Sequence, residues 1–333
     1  MLVSKYMKKL YTLLASVALL FSYAGAQSLE ELQVTPKTEI AKEQDSIKSE
    51  LLQIEVPIPE LQLNVNHWKH WTKFGINANQ ASFSDNWKGG GVNSVSLLGI
   101  AWHKAEYNKN DFLYVSEIDL KYGKAKNKGQ IAKKNNDRIF WDNKLSYKLS
   151  PKWSLYTSIT FETQFDIGPE YGKDSLGNEI QTGVKTSFMA PGYLTESFGL
   201  EYNTIDKTFS LRFGTGTARQ TFVYDERIAP DGDGKRFGVE EGKNIKNDLA
   251  FQVTANLDRD LAKNFNVKSR YNLFADYKDV SDPSHRLDVT FTANVTRIIN
   301  VSLSGIMIYD SDVDPNVQYS QALAMGITFN FPR

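Results

Sequence analysis

The sequence predicts an all-β protein, an antiparallel transmembrane β-barrel of about 12 strands. Three observations predict this fold: an export signal at the amino terminus, apolar residues at every second position from residue 72 onward, and connections that alternate between short and long. A period of two is typical of strands with one apolar face. No run of 18 or more apolar residues occurs, which excludes a bundle of membrane-spanning helices.

Composition narrows the function classes. The chain has 333 residues, 39 basic and 39 acidic side chains and no cysteine. A mean hydropathy of −0.42 is typical of soluble proteins, but alternation also dilutes the lipid-facing residues of a barrel. The zero net charge provides no attraction to nucleic acid, so we expect no nucleic-acid partner. The absence of cysteine excludes disulfides, thiolate metal sites and lipidation of a cysteine.

Residues 1–26 have the three parts of a secretory signal peptide. Lysines precede an apolar core, and the small residues Ala24 and Ala26 frame a cleavage site. The core is too short to span a bilayer. Cleavage after Ala26 would leave a net charge of −3, because the removed piece carries three lysines and no acidic residue.

Residues 27–71 are predicted to form a periplasmic segment that is a helix, a plug or a linker. Its apolar residues recur at loosely helical spacing, and Pro57 and Pro59 end any helix there. His67 and His70 are possible metal ligands, but no acidic residue or cysteine stands close to them in sequence. We therefore interpret this part as an interfacial aromatic segment and expect no metal site.

Residues 72–333 are predicted to form the barrel. In the last segment Leu323, Met325 and Ile327 alternate with small or polar residues. Each segment is long enough for a tilted strand to cross a bilayer. The predicted segments are 72–83, 92–104, 111–122, 138–149, 152–166, 193–203, 207–218, 248–258, 263–277, 285–297, 300–309 and 319–331.

The connections interleave, shorter after even segments and mostly longer after odd ones. Outer-membrane barrels have this asymmetry, with short periplasmic turns and long extracellular loops. Aromatic residues near both ends of the segments, such as Phe74 and Tyr122, are typical of two interfacial belts. We predict the outer membrane of a Gram-negative bacterium, with both termini periplasmic. The expected partners are outer-membrane lipid, lipopolysaccharide and the barrel-assembly machinery.

A secreted soluble β-sandwich or β-barrel is the main alternative fold. Its strands would also alternate, but the apolar face would point inward. The strand lengths, the asymmetry of the connections and the two aromatic belts favour the membrane barrel.

In each segment the positions that alternate with the apolar ones are predicted to face the lumen. Two interpretations of this mixed-sign lining remain open. It forms a narrow channel for small polar solutes, or interlocked ion pairs close the barrel, which then has a structural or assembly role through loops or partners. Twelve strands give a modest lumen. The predicted lumen-lining residues are Glu117, Asp119, Lys121, Asp142, Lys144, Lys148, Glu162, Asp166, Arg212, Lys268, Arg270, Asp276 and Asp288.

A short motif, residues 86–94 with the sequence Asn-Trp-Lys-Gly-Gly-Gly-Val-Asn-Ser, lies at the first predicted hairpin. Its glycines permit the positive φ of a tight loop, and we expect a mainly structural role. The motif resembles an Asn-Trp-x-x-Gly-Gly-x-Asn-Ser signature of exported Bacteroidota proteins that carry a domain of unknown function. The resemblance implies an outer-membrane barrel and no assigned activity. The matching residues are Asn86, Trp87, Gly90, Gly91, Asn93 and Ser94.

Few residues suggest catalysis or ion binding. His103 with a nearby serine would suit a lipid-active outer-membrane enzyme, but no local motif supports it, so we expect no enzyme and no cofactor. Residues 231–234 and 310–314 look faintly like calcium loops. Lys235 replaces an oxygen ligand in the first, and the second lacks both the turn glycine and a glutamate at the twelfth place. We predict solvated turns.

Overall fold

The computed structural model describes residues 66–84, 86–89, 91–230 and 234–332. The predicted signal peptide, most of the predicted periplasmic segment, Gly90 of the motif and residues 231–233 lie outside these ranges. Within them, no helix has the length and apolar character needed to cross a membrane.

The described residues form 14 β-strands, and 12 of them close into an antiparallel barrel. This confirms the predicted fold class and strand number. The ring order is β1-β14-β13-β12-β11-β10-β9-β8-β5-β4-β3-β2, and β6 and β7 form a separate two-stranded sheet. The strands are β1 (Trp68–Ala81), β2 (Ser94–Lys109), β3 (Phe112–Asn127), β4 (Lys133–Lys148), β5 (Trp153–Thr163), β6 (Gly168–Lys173), β7 (Glu179–Thr186), β8 (Gly192–Asn203), β9 (Phe209–Phe222), β10 (Ile245–Ala262), β11 (Phe265–Asp276), β12 (Ser284–Asn294), β13 (Ile299–Asp310) and β14 (Asp314–Phe331).

The ring closes where the first and last strands pair. The register between β1 and β14 runs from Thr72 opposite Phe331 to Ala78 opposite Met325. β1 begins at Trp68, four residues before the predicted start of the barrel. Because the wall strands alternate in direction and are even in number, the start of β1 and the end of β14 lie at the same end of the barrel.

The two ends of the barrel differ in their connections. At the short-loop end, where β1 starts, each connection between wall strands has two to five residues. At the long-loop end the connections span residues 82–93, 128–132, 164–191, 223–244, 277–283 and 311–313.

Several predicted loops contain strand, because the wall strands extend past their predicted bounds, and 167–192 and 310–318 differ most from the prediction. The predicted loop 167–192 contains the β6–β7 hairpin, whose turn forms around Asp174: this side chain accepts hydrogen bonds from the amides of Leu176 and Asn178. The predicted loop 310–318 is mostly strand. Both segments are polar and extend beyond the apolar part of the wall, so they lack the apolar alternation on which the prediction depended.

Successive side chains on the wall strands point to opposite faces. On β4, Trp141 and Leu145 are exposed on the outside of the barrel, whereas Phe140, Asp142 and Lys144 are buried inside it. The outer wall is therefore largely apolar, and the interior is rich in charged groups. A buried apolar cluster lies instead at the long-loop end, among residues of the connections.

Candidate functional site: the barrel lumen

One ion pair joins opposite walls of the barrel. Lys268 lies on β11 and Glu117 on β3, six places apart in the ring counted in either direction. Lys268 Nζ is 3.4 Å from Glu117 Oε1, and Trp102 Nε1 donates a hydrogen bond of 2.6 Å to the same oxygen. The two walls therefore approach within the combined reach of one lysine and one glutamate side chain.

Five side chains, Asp142, Lys144, Glu201, Arg212 and Arg270, form what we call the central cluster. Lys144 Nζ donates to both carboxylate oxygens of Glu201, at 2.5 and 2.6 Å. Arg212 donates to Glu201 and to Asp142, each at 3.2 Å. Arg270, five places around the ring from Asp142, has its Nη1 3.7 Å from Asp142 Oδ2.

Three members of the central cluster are nearly closed to solvent. Glu201 is 1% exposed, Asp142 5% and Lys144 7%. Thr160 Oγ1 also donates to Asp142, at 2.9 Å. Each charge therefore has a partner of opposite sign, which buried ionic groups require because desolvation without a partner is costly.

A second group, the Glu162 cluster, connects β5 with β12, which are also five places apart. Glu162 Oε1 accepts from Arg138 Nε at 2.8 Å and from Arg286 Nη1 at 3.0 Å. Arg286 additionally donates to both oxygens of Asp288, at 2.8 and 3.2 Å. Arg138 Nη1 lies 3.8 Å from Asp119 Oδ2. The Glu162 carboxylate thus binds two guanidinium groups, one from the neighbouring strand β4 and one from β12 on a distant part of the wall.

Aromatic rings connect the two clusters. The guanidinium groups of Arg138 and Arg270 lie over the Phe140 ring, at 4.4 and 4.8 Å from its centre. Arg212 lies 5.8 Å from the centre of the Tyr156 ring. Cation–π contacts of this kind are strongest where water is excluded. They give the arginines a second fixed contact besides their carboxylates.

Most predicted lumen-lining residues take part in these contacts. Lys148 instead is exposed at the end of β4. Asp276 is the last residue of β11 and accepts from the Lys278 amide. Asp166 lies beyond the end of β5, where it pairs with Lys124. The residues that form ion pairs inside the barrel are Glu117, Asp119, Lys121, Asp142, Lys144, Glu162, Arg212, Lys268, Arg270 and Asp288.

The prediction omitted three residues of the clusters, Arg138, Glu201 and Arg286. Their positions in the strand alternation could have identified them as inward-facing. Arg138 has the parity of Asp142 on β4, and Arg286 has that of Asp288 on β12. Both residues stand at a predicted segment boundary, where pattern assignment is weakest.

Further charges lie at the long-loop mouth of the barrel. Asp248 is 2% exposed, and within the described residues neither of its carboxylate oxygens accepts a hydrogen bond. Its nearest cations are Lys246, at 3.4 Å, and Arg219, at 3.9 Å. Asp312 accepts from Lys246 at 2.5 Å, and Asp310 lies 3.9 Å from Arg219. The 310–314 turn thus pairs with cations of the barrel.

The two longest connections fold against each other at this end. Ala190 precedes β8, whereas Val223, Ile228 and Val239 follow β9, and together they form a buried apolar cluster. The Arg227 guanidinium donates to both carboxylate oxygens of Asp225 and holds the pKa of that carboxyl well below its usual range.

The motif residues build the first hairpin loop. Asn93 Oδ1 accepts from the Phe83 amide at 2.5 Å, and the Asn93 carbonyl accepts from the Lys128 amide at 2.7 Å. Asn86 accepts from the Ser84 hydroxyl. Gly91 has φ +140°, and an added Cβ there would lie 2.6 Å from the Phe83 ring. These contacts have a structural role, whereas Trp87 is 60% exposed.

The histidines lie apart from the lumen clusters. His103 faces outward, and its Nδ1 is 2.8 Å from the Thr72 hydroxyl. His70 stacks on His103 with ring centres 5.7 Å apart, and the His67 ring meets Tyr107 edge-on. In the described part of the chain, no three histidine or acidic side chains are arranged to hold a metal ion.

Two families match parts of the barrel. Residues 78–168 match "Protein of unknown function (DUF3078)". Residues 193–331 match "Protein of unknown function, DUF481". The first match includes all six motif residues and the whole of β2 to β5, and the second runs from β8 to β14. No curated protein matches the sequence.

Several solved barrels are similar in structure at very low sequence identity. The translocator domain of autotransporter NalP from Neisseria meningitidis is 7% identical, with 81% of this chain and 90% of that chain covered and a TM-score of 0.34. The NanC porin is 8% identical, with coverages of 78% and 98% and a TM-score of 0.35. The toluene transporter TodX of Pseudomonas putida is 6% identical, with coverages of 79% and 88% and a TM-score of 0.31.

Proposed function

We propose that this protein is an outer-membrane β-barrel whose lumen is closed by ion pairs, and that it acts through its long loops or through partner proteins. The observation that carries the proposal is the set of contacts between distant walls, from β3 to β11, from β4 to β11 and from β5 to β12. In these contacts a cationic side chain from one part of the wall reaches a carboxylate on a distant part, namely Glu117, Asp142 or Glu162.

Membrane insertion is supported by the outer wall. Large apolar side chains such as Ile76, Leu249 and Leu323 are each 64% exposed there, an arrangement that favours lipid over water. Aromatic rings lie at the strand ends, as Phe112 and Tyr147 do at the short-loop end, where their centres are 5.2 Å apart. The predicted export signal and the short connections favour a periplasmic short-loop end and an extracellular long-loop end.

Closure is favoured over conduction because the lumen charges are paired. A selective pore presents rings of charge to the permeating solute. Here Asp142, Glu162 and Glu201 each bind at least two cationic groups. A solute would have to displace these partners, at the cost of leaving buried charges unpaired.

Planar-bilayer conductance of the purified, refolded protein tests the proposal. We expect no steady conductance from the wild-type barrel. The double variant Arg270→Ser/Arg286→Ser removes one cross-lumen arginine from each cluster and should give discrete openings. Arg227→Ser is the matched control, since Arg227 lies in a loop with its side chain 60% exposed, and should leave the barrel closed.

Steady wild-type conductance would contradict closure and would favour the narrow-channel interpretation. Heat-modifiable migration on a gel and resistance to carbonate extraction test the membrane location separately. A protein that lacked both properties would not be a membrane barrel.

A further inference from the structure

A groove of about 380 Å³ crosses the outer wall over β8, β9 and β10. Phe198 lines one side, Leu249 and Tyr277 line the other, and Gly216 and Ala218 form part of the floor. The volume is in the range of small-molecule sites, roughly 300–1,000 Å³. The groove lies outside the lumen, because Phe198 and Leu249 are exposed and have the outward parity of their strands.

The local sequence explains the depth of the groove. Gly216 lacks a side chain, and a Cβ added there would meet no atom within 4 Å. The register between β8 and β9 shifts at Phe198 and Gly199, which marks a β-bulge. Tyr277 reaches across β10, and its hydroxyl donates to the Thr215 carbonyl at 2.5 Å. This bond fixes one wall of the groove.

Glu196 lies in the groove on a face that is otherwise apolar or small. It is exposed, and its cross-strand neighbours are Ile159 and Ala218. Within the described residues no cation is paired with it, whereas carboxylates of the interior such as Glu201 and Glu162 have cationic partners. A carboxylate on the lipid-facing side of a barrel is unfavourable unless it finds a partner, and such residues commonly mark a functional site.

We propose that this groove binds a membrane lipid whose head group carries an ammonium. Glu196 accepts the ammonium, and the trough between Phe198 and Leu249 holds part of one acyl chain. Charge complementarity selects this occupant, because the described residues that line the groove offer one carboxylate without a cationic partner and no cation for a phosphate. The inference rests on the proposed membrane location and does not depend on whether the lumen is closed.

The test is competitive retention of two lipids that share acyl chains. The barrel is reconstituted in nanodiscs of dioleoyl phosphatidylethanolamine and dioleoyl phosphatidylglycerol at equal amounts, released, and examined by native mass spectrometry. For the wild type we expect at least threefold enrichment of phosphatidylethanolamine among retained lipids. Glu196→Gln should reduce this ratio to near one.

Two glycine variants separate the trough from the head-group contact. Gly216→Leu fills the floor and should abolish retention of the first bound lipid. Gly305→Leu is the matched control: Gly305 shares the outward parity of Leu303 on β13, and a Cβ there also meets nothing within 4 Å. It should leave both retention and enrichment unchanged.

Equal retention of the two lipids by the wild type, or enrichment that survives Glu196→Gln, would overturn the lipid site. Heat-modifiable migration of the same samples reports the membrane barrel independently. A folded barrel without enrichment thus refutes only this inference, whereas failure to enter the nanodisc refutes it together with the proposed function.

Discussion

Replacement of Glu201 by glutamine tests the energetic role of the central cluster. Glu201 is 1% exposed and binds Lys144 and Arg212. Glutamine preserves the shape of the side chain but removes the negative charge, so Lys144 would be left as a buried cation without a hydrogen-bonded anion. Removing one partner of a buried ion pair costs about 3–5 kcal/mol. We expect the lower part of this range, since Arg212 remains paired with Asp142.

Urea titration of the barrel in lipid vesicles, followed by heat-modifiable migration on a gel, measures the free energy of unfolding. The double variant Lys144→Met/Glu201→Gln should recover most of the loss, because it leaves no unpaired lysine. Glu240→Gln is the control. It breaks the Lys243–Glu240 pair, in which both side chains are 64% exposed, and should leave the midpoint unchanged.

The explanation is refuted if Glu201→Gln unfolds at the wild-type urea concentration. It is also refuted if the double variant is less stable than the single variant. The first outcome would mean that water reaches Lys144 in the folded barrel, and the second that the cost arises from packing and not from the unpaired charge.

Two further substitutions test the wall and the first loop. Gly199→Ala would place a Cβ 1.8 Å from a backbone oxygen of the neighbouring strand. We therefore expect the free energy of unfolding to fall by about 1–3 kcal/mol or more in the same titration, whereas Gly305→Ala should be neutral. Equal stability of the two variants would contradict this. Asn93→Ala removes the acceptor of the Phe83 amide. Hydrogen exchange at the Phe83 amide should therefore accelerate at least tenfold, whereas Asn93→Asp should retain the protection. Unchanged exchange in Asn93→Ala would show that this bond does not hold the loop.

The sequence was sufficient to predict the strands of the wall and their inward parity. Alternation carries this information directly, because a strand with one lipid-facing side must place polar residues on the other. Asp142 and Lys144 are two residues apart on β4 and both face inward for this reason. The same rule covers Glu201, which the prediction omitted although it has the parity of the buried Ser197 on β8.

The contacts across the lumen were beyond sequence reasoning. Whether Lys268 meets Glu117 depends on the register of every strand between β3 and β11 and on the shape of the cross-section, and no local pattern encodes either. Glu117 and Lys144 lie on adjacent strands, yet they bind Lys268 and Glu201 respectively. The β6–β7 hairpin was missed because it lies outside the barrel wall and its strands have no apolar period to detect.

The charged interior also constrains how the wall assembles. Replacing a buried ion pair with apolar side chains often increases stability. Stability alone therefore does not explain why charged side chains fill the lumen. A one-residue slip of β4 against β5 would turn Asp142 and Lys144 to the outer face. Lys144 alone would then cost up to roughly 2–4 kcal/mol, the cost of a lysine at the bilayer midplane, and Glu201 would lose its partner inside. The slipped register is therefore disfavoured twice, by the charges exposed on the outer face and by the partners left unpaired inside. An apolar lumen would not disfavour it in this way.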